Sequence, residues 1–154
     1  MNYDKYTEQE VKTLRMASKI LMTHATAKNP DLFRSSDTVA DLFRFHLTGE
    51  QIESVAVLYL DIKCQGITIE TISTGTINQC FCSPREICRR ALHHNASCII
   101  IGHNHPTGET TPSDEDINIT KKLKIALEMF EITLLDHIIV GRSYTSLQAL
   151  GLMD

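Results

Sequence analysis

The stretch Cys98-Ile99-Ile100-Ile101-Gly102-His103-Asn104-His105 begins with four apolar residues and ends with polar ones. An apolar, mostly β-branched run is typical of a strand buried on both faces, and we expect this strand to end at Gly102. A similar run at residues 55–60 precedes it, another at residues 132–140 follows it, and residues 67–72 alternate like a half-buried strand. Helical patterns lie between these segments, so the sequence predicts an α/β domain with a mixed sheet layered between helices.

Four segments show the spacing and the end signals of helices. Thr7-Glu8-Gln9-Glu10 fits a capping box and predicts a first helix that runs to about residue 24. A second helix is expected after Ser36, with Gly49 as its stop, so the first 50 residues look like a helical appendage. Ser83-Pro84-Arg85-Glu86 fits another capping box with proline at the first helical position, and a longer helix is expected over about residues 113–131.

The composition disfavours several classes of protein. The chain has 154 residues, of which 42% are hydrophobic and 22% are charged, as in one compact domain. Lys and Arg number 15 against 19 Asp and Glu, and no basic cluster forms an electrostatic footprint for nucleic acid. The polar first residues do not resemble a secretory signal, and no apolar run is long enough to span a bilayer. Together with an odd number of cysteines, five, these features predict a reduced cytoplasmic protein with no membrane partner.

The candidate catalytic and metal-binding residues follow the strand at residues 98–101, at the edge of the sheet where ligands bind in α/β folds. His103 and His105 are two residues apart, so in an extended segment their side chains point the same way and can share a metal ion. Asp116 lies in the first turn of the next helix, and a loop that folds back would bring its carboxylate to the imidazoles. Two nitrogens and one oxygen leave the fourth tetrahedral position open for water, as in catalytic zinc sites. Each of these features alone also has a structural explanation: His-x-His can be a surface turn, and Ser113 can simply cap a helix.

The spacing His103-x-His105, seven residues, Ser113, two residues, Asp116 matches the signature of the JAMM (MPN+) metalloprotease motif. The resemblance covers about residues 36–152 and implies the MPN/JAB fold, with a cytidine-deaminase-like architecture. Residues 1–35 are then a short N-terminal helical extension in place of the helix-hairpin-helix region of fuller family members, and residues 36–154 are the domain. The segments that resemble the RadC-like branch of the JAB/MPN family, in the same order, are Ser83-Pro84-Arg85-Glu86, His103-Asn104-His105-Pro106-Thr107-Gly108, Thr111-Pro112-Ser113 and Leu135-Asp136-His137-Ile138-Ile139-Val140-Gly141.

This resemblance implies a role for each site residue and a function for the protein. Glu53 would be the general base for a zinc-bound water, with Glu50 as its competitor for that position, and Ser113 would hydrogen-bond the water or the oxyanion. The implied reaction is zinc-dependent hydrolysis of peptide or isopeptide bonds in a protein or peptide substrate. The ligands of Zn2+ would be His103, His105 and Asp116.

Other functions and partners stay open at this point. A DNA-repair role, with nucleic acid as the partner, is suggested by the RadC name, although the acidic composition gives it little support. A non-catalytic MPN interaction module is another possibility, although such modules usually lack the metal ligands that this chain has. The N-terminal helices could dock on a partner or on a second copy in a homo-oligomer. Asp136-His137 is either a ligand-orienting group or a buried structural pair, and Cys80-Phe81-Cys82 lacks the second pair of a zinc finger.

Overall fold

A computed structural model of the chain describes residues 6–28, 32–74 and 83–154. Within these ranges the chain forms four α-helices, a short 3-10 helix at Leu32–Arg34 and five strands. In chain order they are α1 (Glu8–Lys28), α2 (Ser36–His46), β1 (Ser54–Leu60), β2 (Gly66–Thr74), α3 (Pro84–His93), β3 (Cys98–Asn104), α4 (Asp114–Glu128), β4 (Thr133–Val140) and β5 (Tyr144–Ser146).

The strands form one mixed sheet in the order β2-β1-β3-β4-β5. β1 runs antiparallel to both β2 and β3, β3 and β4 are parallel, and β5 returns antiparallel to β4. Every residue of β1 is buried, and so are six of the seven residues of β3. The predicted mixed sheet, with the two most apolar runs near its centre, is confirmed.

Helices cover both faces of this sheet. Val57 and Ile99 point to the face that α3 and α4 cover, where they join Leu123 in one buried cluster. Leu58 and Ile100 point to the opposite face and join Phe43 of α2 in a second buried cluster. Because Phe43 belongs to this cluster, α2 is part of the core. Burying a side chain of this size stabilises a fold by about 1.5–3 kcal/mol. The expectation that the first 50 residues form an appendage is therefore wrong for α2.

The first helix begins as predicted and also contacts the core. The backbone N–H of Thr7 donates to the Glu10 carboxylate at 2.7 Å, and the Glu10 N–H donates to the Thr7 hydroxyl at 3.3 Å, which confirms the capping box. Further along α1, Met22 is buried together with Phe33 over Gly66 at the start of β2, where an added Cβ would lie 2.8 Å from the Phe33 ring. The division of the chain into an extension at residues 1–35 and a domain at residues 36–154 stays a prediction.

The second predicted capping box does not form. The Ser83 side chain makes no capping hydrogen bond at the start of α3, although proline does occupy the first turn as expected. The Glu86 carboxylate instead accepts hydrogen bonds from the guanidinium groups of Arg89 and Arg90, each at 2.7 Å. Two arginines at the i+3 and i+4 positions of the same helix compete for the carboxylate that the cap would use.

Strand β3 runs two residues beyond its predicted end at Gly102. The glycine does not break the strand, because His103 and Asn104 still pair with neighbouring strands. Glycine is needed at position 102 for packing: a Cβ there would lie 2.5 Å from the Phe43 ring, which packs directly on the sheet at this point. His103 is therefore fixed as a central strand residue and is not part of the loop that follows.

Cys80-Phe81-Cys82 lies outside the described residues. Among residues 6–28, 32–74 and 83–154, no helix has both the length and the apolar character needed to cross a membrane.

Candidate metal centre

Strand β3 and helix α4 bring the three predicted ligands together. His103 is buried on the face of β3 that α4 covers, and Asp116 lies in the first turn of α4. The Nε2 atoms of His103 and His105 are 2.9 Å apart, and the Asp116 carboxylate lies 3.4 Å from the first and 3.8 Å from the second. One ligand atom from each residue lies within 4.8 Å of the others, which is close enough for a single ion to contact all three.

The loop between β3 and α4 is held against the end of β4. The His105 N–H donates to the Val140 carbonyl at 3.0 Å, and the Arg142 N–H donates to the Gly108 carbonyl at 2.9 Å. The two segments approach closely because Gly141 has no side chain: a Cβ there would lie 2.5 Å from the Gly108 oxygen. The loop thus folds back on the sheet and delivers the first turn of α4 to the imidazoles.

The carboxylate of Asp116 both caps α4 and faces the histidines. Its Oδ2 atom accepts hydrogen bonds from the Ser113 N–H at 2.8 Å and from the Ser113 hydroxyl at 2.6 Å, while the Asp116 N–H donates to the Ser113 Oγ at 3.1 Å. This capping box fixes the carboxylate and leaves Oδ1 directed towards His103. The Ser113 hydroxyl hydrogen is used in this bond, so Ser113 supports the Asp116 carboxylate in the structure.

The donor atoms of the site are complementary to a cation. The Nδ1 atom of His105 lies 2.9 Å from the Glu109 carbonyl oxygen, and because a carbonyl can only accept, Nδ1 holds the hydrogen. Nε2 is therefore the His105 nitrogen that can bind a metal ion, and it lies next to the Nε2 atom of His103 and the Asp116 carboxylate. Two imidazole nitrogens and a carboxylate oxygen with an open fourth side are the donor set of catalytic zinc sites.

Burial keeps the buried histidines of the site in the form that binds a metal. It lowers the pKa of His103 to about 4, although the nearby Asp116 carboxylate acts in the opposite direction. Burial also holds the pKa of His137, which contacts His103, well below its usual range. Both rings are therefore neutral near pH 7, and a metal ion does not have to displace a proton from an imidazolium of His103.

Glu53, the predicted base, is near enough to His105 and Asp116 for their charges to act on its carboxyl. Burial raises the pKa of its carboxyl, with His105 opposing this increase and neighbouring carboxylates adding to it. Glu50, the alternative, forms an ion pair with Arg15 at 2.6 Å instead. Of the two glutamates, Glu53 is thus the one whose carboxyl responds to the charges of His105 and Asp116.

Asn104 supports the segment that contains Glu53 and was missed by the sequence analysis. Its side-chain oxygen accepts the Ser54 N–H at 2.8 Å, and its side-chain nitrogen donates to the Ile52 carbonyl at 3.2 Å. Asn104 is fully buried, so these bonds are shielded from water. The sequence offers only one signal, an amide between two histidines, and it does not show that the side chain reaches residues 50 positions earlier.

The sequence left open whether His137 orients a ligand or pairs with Asp136. In the structure the Asp136 carboxylate accepts the His137 backbone N–H at 2.7 Å, but the two side chains point to opposite faces of the sheet. His137 lies opposite Ile101 in the sheet and points to the ligand face, where its Nε2 atom is 2.7 Å from the Nδ1 atom of His103. Asp136 points to the other face and accepts a hydrogen bond from the Ser146 hydroxyl at 2.6 Å. His137 is thus part of the candidate centre, and Asp136 fixes β5.

Comparison with known proteins agrees with this architecture. The family model of the RadC-like JAB domain matches residues 33–152. UPF0758 protein YkfG of Escherichia coli (strain K12) is 41% identical over 136 residues, which cover 88% of this chain and 85% of that protein. A UPF0758 protein of Ralstonia pickettii (strain 12J) is 43% identical over 73% of this chain, and one of Pseudomonas savastanoi pv. phaseolicola (strain 1448A / Race 6) is 46% identical over 67% of it. The chain spans about half the length of these last two relatives, 50% and 46%. By the extent of these matches, the chain belongs to the RadC-like JAB domain family.

Proposed function

We propose that this chain is a zinc-dependent hydrolase of the JAMM type that cleaves peptide or isopeptide bonds. The observation that supports this proposal most directly is the convergence of His103, His105 and Asp116 on one point, with a half-buried Glu53 carboxyl on which the charges of His105 and Asp116 act. A metal-ligand set next to a carboxyl with a raised pKa is the combination that metal-assisted amide hydrolysis requires.

The donor atoms favour zinc over the harder divalent cations. Imidazole nitrogens suit zinc, whereas magnesium and calcium prefer oxygen ligands throughout. His103, His105 and Asp116 would hold the ion through two nitrogens and one oxygen. When bound, zinc would lower the pKa of a water molecule to about 7 and polarise the carbonyl group of the substrate.

Glu53 is the group that moves the proton in this proposal. Its carboxylate takes a proton from the attacking water and, once protonated, gives it to the leaving amine, since an amine leaves only after it has been protonated. Burial raises the pKa of Glu53, which makes its protonated form easier to reach and suits a group that must act as base and then as acid. Ser113 holds the Asp116 carboxylate at 2.6 Å, and its hydroxyl would have to leave this bond to contact an oxyanion.

The experiment that tests the proposal compares two glutamates only three positions apart. The zinc-loaded full chain, with Glu53→Gln and Glu50→Gln variants, is incubated with fluorogenic peptides and with lysine-linked isopeptides, and zinc content is measured in each sample. Glu53→Gln is expected to keep its zinc and to lose hydrolysis by about 100-fold or more, because the amide cannot take the proton. Glu50→Gln is the matched control and is expected to retain activity, since its carboxylate is paired with Arg15.

Two results would overturn this proposal. One is hydrolysis that persists at the original rate in both Glu53→Gln and His105→Ala. The other is a zinc-loaded chain that cleaves neither substrate class while its zinc content and fold are intact.

A further inference from the structure

A chain of short hydrogen bonds runs behind the ligand His103. The Nδ1 atom of His103 is 2.7 Å from the Nε2 atom of His137, and the Nδ1 atom of His137 is 2.6 Å from the Thr120 hydroxyl. That hydroxyl lies in turn 2.5 Å from the backbone carbonyl oxygen of Asp116. His103, His137 and Thr120 are all buried, so water does not compete for these contacts.

The end of this chain determines the direction of every hydrogen in it. A carbonyl oxygen can only accept, so the Thr120 hydroxyl donates to Asp116, and its oxygen is left to accept from the Nδ1–H of His137. A neutral imidazole has one N–H, so the Nε2 atom of His137 must accept from the Nδ1–H of His103. The remaining nitrogen of His103, Nε2, then carries a lone pair, and it faces the Nε2 atom of His105 at 2.9 Å and the Asp116 carboxylate at 3.4 Å.

We propose that Thr120 and His137 are positioning residues that fix the tautomer of His103, so that its Nε2 lone pair is available to a metal ion. This inference rests on the proposed metal site and adds to it the device that prepares one ligand. Because Thr120 bonds to the backbone of Asp116, the same chain also couples the histidine ligand on β3 to the carboxylate ligand on α4.

A purely structural role would not require this arrangement of polar atoms. Valine has nearly the shape of threonine and would fill the same space on the buried side of α4 without a hydroxyl that must be satisfied. Three contacts of 2.5–2.7 Å in one direction instead form a complete donor and acceptor sequence. Residues that orient metal-ligating histidines through their second nitrogen typically contribute about 10–100-fold to metal affinity.

The test uses the full chain in two states, metal-free and zinc-loaded, with Thr120→Val and the matched control Thr120→Ser. In the metal-free protein, the protonated nitrogen of each ring is assigned by long-range 1H–15N NMR of 15N-labelled histidines. Wild type and Thr120→Ser are expected to hold the His103 hydrogen on Nδ1. In Thr120→Val the Nδ1–H of His137 has no acceptor, so the His137 hydrogen is expected to move to Nε2 and the His103 hydrogen to its own Nε2.

Zinc affinity, measured by competition with a chelator, is the second readout. Thr120→Val is expected to bind zinc about 10–100-fold more weakly than wild type, while Thr120→Ser stays within a few-fold of it. If Thr120→Val does not fold, His137→Leu and His137→Gln test the same idea, because the glutamine oxygen can still accept from His103 and leucine cannot. Their expected order of zinc affinity is wild type, then His137→Gln, then His137→Leu.

The outcomes separate this inference from the proposed function. Equal zinc affinity in wild type and Thr120→Val, or a His103 hydrogen on Nε2 in metal-free wild type, would overturn the positioning role and leave the metal site intact. A wild type that binds no zinc would overturn the metal site and this inference with it. A wild type that shows the expected histidine hydrogens and zinc affinity but hydrolyses no peptide would count against the proposed reaction alone.

Discussion

The side-chain oxygen of Asn104 accepts the backbone N–H of Ser54 at 2.8 Å, and this contact ties the start of β1 to the end of β3. Asn104 is the residue between His103 and His105, and Ser54 is the residue after Glu53. One buried amide therefore sets the position of the candidate base relative to the candidate metal centre. Asn104 therefore differs in role from its neighbours His103 and His105: they would hold a metal ion, whereas Asn104 places the candidate base.

Replacing Asn104 with leucine is expected to impair hydrolysis without removing the metal. The Ser54 N–H would be left buried without a partner, which costs about 1–3 kcal/mol of the free energy of unfolding. The rate is expected to fall by about tenfold or more, because the segment with Glu53 is no longer fixed. Zinc affinity is expected to stay within a few-fold of wild type, since Asn104 contributes no ligand atom. Urea unfolding, chelator competition and a hydrolysis assay measure the three quantities.

Ser54→Ala is the control for this prediction. It removes the Ser54 hydroxyl, which makes only a 3.3 Å contact with the Ile52 carbonyl, and it keeps the N–H that Asn104 accepts. Both rate and zinc affinity are expected to remain near those of wild type. An Asn104→Leu variant with an unchanged rate would show that Glu53 is placed by other contacts.

Substitution of Gly141 by alanine is expected to weaken zinc binding from a position outside the ligand set. The added Cβ would lie 2.5 Å from the Gly108 backbone oxygen, so the loop that begins at His105 must shift. Displacing a ligand-bearing loop is expected to reduce zinc affinity by about tenfold or more, as measured by chelator competition.

The matched control for Gly141→Ala is Gly151→Ala. Gly151 has a φ of +67° but nothing within 4 Å of an added Cβ, so its substitution strains the backbone without a collision. Gly151→Ala is expected to cost about 1 kcal/mol of stability and to leave zinc affinity unchanged. Equal zinc affinity in the two variants would contradict the role assigned to the loop contact.

His46 is expected to make the fold sensitive to acid. Burial lowers the pKa of His46 to about 4, with the positive charges of Arg15 and Lys19 adding to the effect. The ring contacts the Thr71 hydroxyl at 3.1 Å, and its Nδ1 atom is buried with no hydrogen-bond partner. Because the unfolded chain binds a proton at a higher pH than the folded chain does, stability falls as the pH is lowered from about 6.5 to about 4.

The variant His46→Gln is expected to reduce this loss, since an amide can contact Thr71 and does not titrate. The free energy of unfolding, measured in urea with a chelator present, should decline less steeply than in wild type, by up to about 1.4 kcal/mol per pH unit in that window. His93→Gln is the control, because His93 is exposed at the end of α3. Parallel pH profiles for wild type and His46→Gln would show that His46 is not responsible.

The sheet and the three residues that converge in the candidate metal centre were predictable because their signals are local. The apolar runs that became β1 and β3 can be buried only in the middle of a sheet, and both lie there. The capping box at the start of α4 is visible as Ser113 and Asp116, and the same spacing identifies the carboxylate that meets the two histidines. Local chemistry and the ligand spacing thus point to the same residues.

The support around the ligands was not predictable, because it depends on register between distant segments. Between Ile99 and Ile100 the pairing of β3 with β4 shifts by one residue, from Leu134 to Asp136. This irregularity decides that His137 points to the ligands while Asp136 points away, since a shift of one residue exchanges the two faces of a strand. The capping box predicted at Ser83 does not form for a related reason. The Glu86 carboxylate that it requires accepts hydrogen bonds from Arg89 and Arg90, further along the helix.

The zinc content of the full chain, purified without chelators and then titrated with zinc, tests the central claim most directly. Wild type and the control His93→Ala are expected to hold about one zinc per chain, whereas His105→Ala and Asp116→Ala are expected to lose it, because each removes one of three ligands. A wild-type chain that takes up no zinc, or variants that retain it in full, would contradict the assignment of this cluster as a metal centre.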